Sequence, residues 1–81
     1  MNNQDVKNSL VARNEILGGV VKNLKSQLLI LGDVEHDDSY LLEHSDVESV
    51  SSLSQPKELL QVAIDSLSKA IKKGAEINDR A

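Results

Sequence analysis

Cysteine, phenylalanine and tryptophan are absent from this chain, and proline, methionine and tyrosine occur once each. Without cysteine there are no disulfides, and the thiolate ligands of structural zinc sites are excluded. Aromatic side chains supply much of the buried area of small cores, so an 81-residue chain with Tyr40 alone must rely on aliphatic packing. A chain this short buries a modest share of its surface. We therefore expect one small domain, residues 1–81, that is completed by oligomerisation.

Long apolar runs are also missing. No stretch approaches the roughly 20 apolar residues that span a bilayer, and no helical segment combines a basic face with aromatic anchors for a membrane surface. The polar N-terminal sequence does not have the basic-then-apolar order of a signal peptide. We expect a cytoplasmic protein that does not bind membranes.

Basic residues are outnumbered, nine Lys and Arg against 13 Asp and Glu, for a net charge of −4. Direct nucleic-acid binding requires a basic face, so we do not expect it. The acidic excess is concentrated in residues 33–48, which contain no Lys or Arg. We predict that this acidic segment is a possible partner-binding region. Its charged residues are Asp33, Glu35, Asp37, Asp38, Glu43, Asp46 and Glu48.

What the chain does contain is a heptad pattern between residues 6 and 31. Leucine recurs at every seventh position from Leu10 to Leu31, and a second set of positions completes an a/d seam, with Asn14 at an a position. A polar Asn at such a position fixes register and strand number in parallel coiled coils. The predicted seam is Leu10, Asn14, Leu17, Val21, Leu24, Leu28 and Leu31.

Other apolar residues of this stretch lie off the seam: Val11, Ile16, Val20, Leu29 and Ile30. An apolar arc this wide is typical of a helix with more than one helical neighbour. A simple two-stranded zipper would leave these side chains in water. The pattern therefore favours a bundle over a zipper.

Three features set the predicted element boundaries. The seam keeps its phase across Gly18-Gly19, which favours a continuous helix, residues 3–31, over two short helices. Gly32 follows the last apolar seam position, as glycine does at many helix ends. Residues 32–55 then read as an acidic, serine-rich connection with a possible short helix at 39–48.

The C-terminal helix is predicted at residues 56–74 or 56–79, with Pro56 in its first turn. Its seam has a four-three-four spacing, formed by Leu60, Ile64, Leu67 and Ile71. The predicted fold class is all-α, a small bundle of two long amphipathic helices joined by the connection and completed by oligomerisation. A homodimer is the expected state.

Residues with catalytic or ligating side chains form one cluster: His36, Asp37, Asp38, Glu43, His44 and Asp46. Neutral imidazole and carboxylates suit zinc, and a carboxylate loop suits calcium, but the spacing matches neither motif. A solvated acidic segment is favoured over a metal site. The serines lie in polar linker sequence, without the cleft that nucleophilic catalysis requires. We expect no enzyme activity, no catalytic residues, no metal and no cofactor.

Two functional hypotheses remain, with a third behind them. The first is a small regulatory protein that self-associates and binds, sequesters or inhibits another protein, as antirepressors, inhibitors, antitoxins and chaperones do. The second is an acidic nucleic-acid mimic whose charged segment blocks a basic groove on a target. The third is a structural assembly subunit.

Overall fold

A computed structural model describes residues 3–80, in which the chain forms two helices. Helix α1 spans Asn3–His44 and helix α2 spans Ser54–Arg80. The helices are antiparallel, because Asn14 near the start of α1 lies against Ile71 and Gly74 near the end of α2. The all-α prediction is confirmed at this level.

The hairpin is long and narrow, with extents of 65 × 15 × 15 Å and a radius of gyration of 19.2 Å. A compact chain of the same length has a radius of gyration of about 12 Å. The accessible surface is 6201 Å², whereas a compact 8.8 kDa protein exposes about 4,800 Å². The chain therefore leaves much more surface in water than a globular domain of its size.

One seam joins the two helices. In α1 it follows the four-three spacing of an a/d pattern, and the same spacing runs from Leu53, one residue before α2, to Asn78. Val21, Ile64 and Gly74 are its buried members within residues 3–80, and the others are half-buried. The half-buried members are Lys7, Leu10, Asn14, Leu17, Leu24, Leu28, Leu31, Glu35 and Asp38 in α1, Leu53 in the connection, and Lys57, Leu60, Leu67, Ile71 and Asn78 in α2. Val6, Ala63 and Ala70 are also half-buried and flank the seam.

Helix α1 does not end at Gly32, so the predicted boundary at residue 31 is wrong. No residue from 3 to 80 has a left-handed backbone conformation, so Gly32 does not act as a C-cap. The seam continues past it in polar form, through Glu35 and Asp38. Glycine in a helix costs about 1 kcal/mol relative to alanine, and pairing of this last stretch with α2 offsets that cost.

The predicted connection, residues 32–55, is accordingly shorter, and its possible short helix at 39–48 is mostly the last part of α1. The connection spans residues 45–53. At its start the Ser45 hydroxyl donates to the Leu41 carbonyl and accepts from the Val47 N–H. Helix α2 begins at Ser54 and runs through Gly74 to Arg80, one residue beyond the longer prediction.

Helix α1 is continuous through Gly18-Gly19, as the unbroken phase of the seam indicates. A Cβ built on either glycine meets nothing within 4 Å. Neither residue therefore allows a close helix contact within this chain.

Candidate interaction surface

The seam residues predicted from the heptad pattern all lie between the two helices of one chain, where they are buried or half-buried. Their spacing fits this antiparallel pairing, since α1 and α2 both keep a 3.5-residue apolar period. An interface with any other chain must therefore use side chains outside the seam.

A polar contact closes the seam near its open end, where α1 begins and α2 ends. The Asn14 Nδ2 donates to the Ile71 carbonyl at 3.2 Å. Gly74 makes room for this amide, because a Cβ there would lie 2.6 Å from the Asn14 Oδ1. That Oδ1 atom is buried and accepts no hydrogen bond. The fit of Asn14 against Gly74 therefore sets the register of the two helices.

A second polar contact lies near the connection. The Lys57 Nζ donates to the Glu35 Oε1 at 2.7 Å, and both side chains are half-buried. An ion pair this accessible contributes at most about 1 kcal/mol. It holds α1 against α2 beyond Gly32, where apolar seam residues are replaced by charged ones.

The acidic segment occupies the last turns of α1 and the start of the connection. Glu35 is paired with Lys57 and Asp38 is half-buried in the seam. At 100° per residue, the remaining three helical carboxylates lie on the outer side of α1, away from α2. The exposed members of the segment are Asp33, Asp37, Glu43, Asp46 and Glu48.

Beside the acidic segment, the rings of Tyr40 and His44 lie 4.4 Å apart between centroids. Among residues 3–80, no three His, Asp or Glu side chains are grouped so that they could hold a metal ion. The cluster singled out in the sequence is thus spread along and around the helix.

An exposed apolar surface runs along one side of the hairpin. On α1, Ile16 and Val20 recur two heptads later as Ile30 and Val34, in a stripe about 110° around the helix from the seam. We call this stripe and its counterpart on α2 the apolar face. Its exposed residues are Ile16, Val20, Ile30, Val34 and Leu41 of α1 with Pro56, Leu59 and Ile77 of α2, and the half-buried Ala63 and Ala70 lie between the α2 stripe and the seam.

The two stripes lie on the same side of the hairpin. Gln27 of the α1 stripe and Pro56 and Leu59 of the α2 stripe line one groove, of about 490 Å³. Exposure on the apolar face is high for large aliphatic side chains, at 68% for Ile16, 51% for Ile30 and 62% for Leu59. Polar Asn23 and Gln27 divide the α1 stripe into two apolar patches. Single exposed apolar residues are ordinary, but several on one side of a molecule mark an interaction surface.

The opposite side of the hairpin differs in composition. Its positions are mostly small or polar and include Gly18, Gly32 and Ser39 of α1 with Ser54 and Gln61 of α2. A groove on this side is lined by Leu28, Ser54 and Gln61 together with two charged side chains of α2. Only one side of the molecule therefore offers a long aliphatic surface.

Sequence reasoning found part of the apolar face and missed the rest. Ile16, Val20 and Ile30 were noted as lying off the seam, whereas Val34 and Leu41 were assigned to the connection. The available signal was that Val34 and Leu41 lie two and three heptads after Val20.

Comparison with known proteins found no matching family model, no matching curated protein and no matching solved structure. Neither described helix has a stretch long and apolar enough to cross a membrane.

Proposed function

We propose that this protein is a non-enzymatic regulatory protein that self-associates through its helices and binds, sequesters or inhibits a partner protein. The observation that carries the proposal is the apolar face, which one hairpin leaves in water along its length. Covering aliphatic surface stabilises an assembly by about 25 cal/mol per Å². Self-association would cover this face and leave the acidic segment, at the hairpin tip, for the partner.

The partner-binding part rests on the four exposed carboxylates of the acidic segment that lie off the apolar face, which are Asp33, Glu43, Asp46 and Glu48. A concentrated charge of one sign accelerates and selects the encounter with a basic surface. The favoured partner is therefore a protein with a basic patch.

One observation supports nucleic-acid mimicry as the second candidate. Asp33, Asp37 and Glu43 lie on the outer side of α1, separated along its axis by about 6 and 9 Å at 1.5 Å per residue. Exposed charges spread over the outer side of a rod can occupy a groove that binds a phosphate backbone. Competition between the protein and DNA or RNA for the captured target would support this candidate.

The test combines the solution mass with partner capture. Sedimentation of the purified chain should give a mass above that of one chain, and the tagged protein should retain a specific partner from native cells. Replacing the exposed carboxylates that lie off the apolar face with their amides should release the partner without changing the mass. A monomer that retains no partner would contradict the proposal. The variant carries Asp33→Asn, Glu43→Gln, Asp46→Asn and Glu48→Gln, and it keeps Asp37, which lies on the α1 stripe.

A further inference from the structure

We propose that the apolar face is covered by a second copy of this chain, lying antiparallel to the first, so that two hairpins form a four-helix bundle. The twofold axis crosses the apolar face at the level of Lys25, near the middle of α1. This inference rests on the proposed function, since it specifies how the protein self-associates. It is carried by the sequence of the α1 stripe, by the charges at its ends and by the size of the face.

The α1 stripe is chemically symmetric about Lys25. In an antiparallel pair, each stripe residue faces the one lying equally far on the other side of the axis. Amide side chains then face amide side chains, aliphatic side chains face aliphatic ones, and oppositely charged side chains are paired. The matched pairs are Asn23 with Gln27, Val20 with Ile30, Ile16 with Val34, and Arg13 with Asp37.

Displacing the second copy by one heptad in either direction destroys this match. One displacement sets Ile16 against Gln27 and Val20 against Asn23. The other sets Gln27 against Ile30 and Asn23 against Val34. Both bury amide groups against aliphatic side chains, which is unfavourable for unsatisfied polar groups. The outermost pairs, Ser9 with Leu41 and Val6 with His44, are mixed in the proposed register and do not support it. The second displacement would set Leu41 against Ile16, but it would also set Val20 against Asp37.

The charges on the face decide the orientation. Arg13, Lys73 and Arg80 lie along it towards the open end of the hairpin, whereas Asp37 lies along it towards the connection. An antiparallel copy places each basic end over an acidic end. A parallel copy would place like charges together at both ends, which is penalised.

Helix α2 accepts the same axis. The contacts of Asn14 with Ile71 and Gly74, and of Glu35 with Lys57, place the middle of α1 level with Ile64 of α2. An axis at that level pairs positions on the α2 stripe that are equally far from it. Leu59 then faces Ala70, and Ala63 faces Ser66. A large residue against a small one, and two small residues together, allow two helices to approach closely.

The size of the face suits a stable dimer. A surface of 65 by 15 Å is roughly 1,000 Å², and stable interfaces bury about 800 Å² per partner. The contact is isologous, because each pair occurs twice. A closed dimer covers both faces and leaves no site for a third copy.

The first test compares the same substitution at two adjacent aliphatic residues, one on the apolar face and one outside it. Ile30 belongs to the apolar face, whereas Leu29 is 74% exposed and lies outside it. Ile30→Asp should weaken dimerisation at least about 100-fold, since it buries a charge at two symmetric places, while Leu29→Asp should leave the dissociation constant within about threefold. Sedimentation measures both, and circular dichroism should show that both variants keep their helices.

The second test determines the orientation of the two copies by disulfide cross-linking. The chain has no cysteine of its own, so a disulfide can form only between introduced cysteines. A mixture of Asn23→Cys and Gln27→Cys proteins should oxidise to a cross-linked dimer that contains one chain of each. Either variant alone should cross-link at least about tenfold more slowly, because the same residue of two antiparallel copies is too far apart for a disulfide.

Each alternative outcome overturns the arrangement. Cross-linking of either single variant as fast as the mixture would contradict the antiparallel register. A dimer that survives Ile30→Asp would place the interface elsewhere and leave the proposed function standing. A wild-type monomer at all concentrations would mean that a different protein covers the face, and would also remove self-association from the proposed function.

Discussion

At the residue scale, the four glycines have different roles although all four lie within helices. A Cβ at Gly18, Gly19 or Gly32 meets open space, whereas a Cβ at Gly74 meets the Asn14 amide. Three of them thus lower helix stability without a packing reason in this chain, and the fourth accommodates a polar contact. Sequence alone does not separate them, because the distinction depends on which residue of the other helix lies opposite.

We predict that Gly32→Ala raises the free energy of unfolding by about 1 kcal/mol, through helix propensity alone. Gly74→Ala should give no such gain, because the new Cβ displaces the Asn14 amide from the Ile71 carbonyl. Urea denaturation followed by circular dichroism measures both changes. Equal stabilisation by the two substitutions would show that Asn14 does not depend on Gly74.

A double variant controls for this contact. With Asn14→Ala in place, Gly74→Ala should regain its full propensity gain, so the two substitutions should be non-additive. Additive effects would contradict the steric explanation.

At the element scale, the continuity of α1 beyond Gly32 is the main departure from the sequence prediction. We predict that Asp33→Pro destabilises the protein by about 3 kcal/mol or more, because proline within a helix removes a hydrogen bond and clashes with the preceding turn. Thermal denaturation measures the loss. Ser51→Pro, in the exposed connection, is the matched control and should change stability little. A harmless Asp33→Pro would restore the predicted end of the first helix at residue 31.

The seam provides a second element-scale prediction. Leu24 is half-buried against α2 and Ser26 is exposed two residues later. Leu24→Asp should destabilise the hairpin by more than about 3 kcal/mol, since it removes a leucine and introduces a charge at the helix contact. Ser26→Asp should lie within about 0.5 kcal/mol of the wild type. The far-ultraviolet helical signal at rising temperature distinguishes them, and equal melting curves would show that Leu24 is not in the core.

Much of both helices was predictable because an a/d pattern in one sequence specifies the seam of each. Leu10 to Leu31 and Leu60 to Ile71 carry aliphatic residues at this spacing. The boundary of α1 was not predictable in this way, since Glu35 and Asp38 hold seam positions with charged side chains. The structure places Glu35 opposite Lys57 of α2. This contact joins distant parts of the sequence, so the local heptad pattern does not reveal it.

At the scale of the whole molecule, the narrow shape and large exposed surface favour association. We predict that the melting temperature rises by several degrees when the protein concentration is raised tenfold, because a dimer is stabilised by mass action. Differential scanning calorimetry over a hundredfold concentration range measures the shift. The Ile30→Asp variant should melt at a temperature independent of concentration. A concentration-independent wild type would indicate that the hairpin is stable alone.

The exposed connection, residues 45–53, carries a consequence for how the two helices meet. It acts as a tether, which turns the encounter of α1 and α2 into an intramolecular event at an effective concentration in the millimolar range for a short flexible linker. Cutting the chain at Ser51 would leave the seam intact but remove this local concentration. The two fragments would then separate on dilution, because the pairing of α1 with α2 would depend on protein concentration.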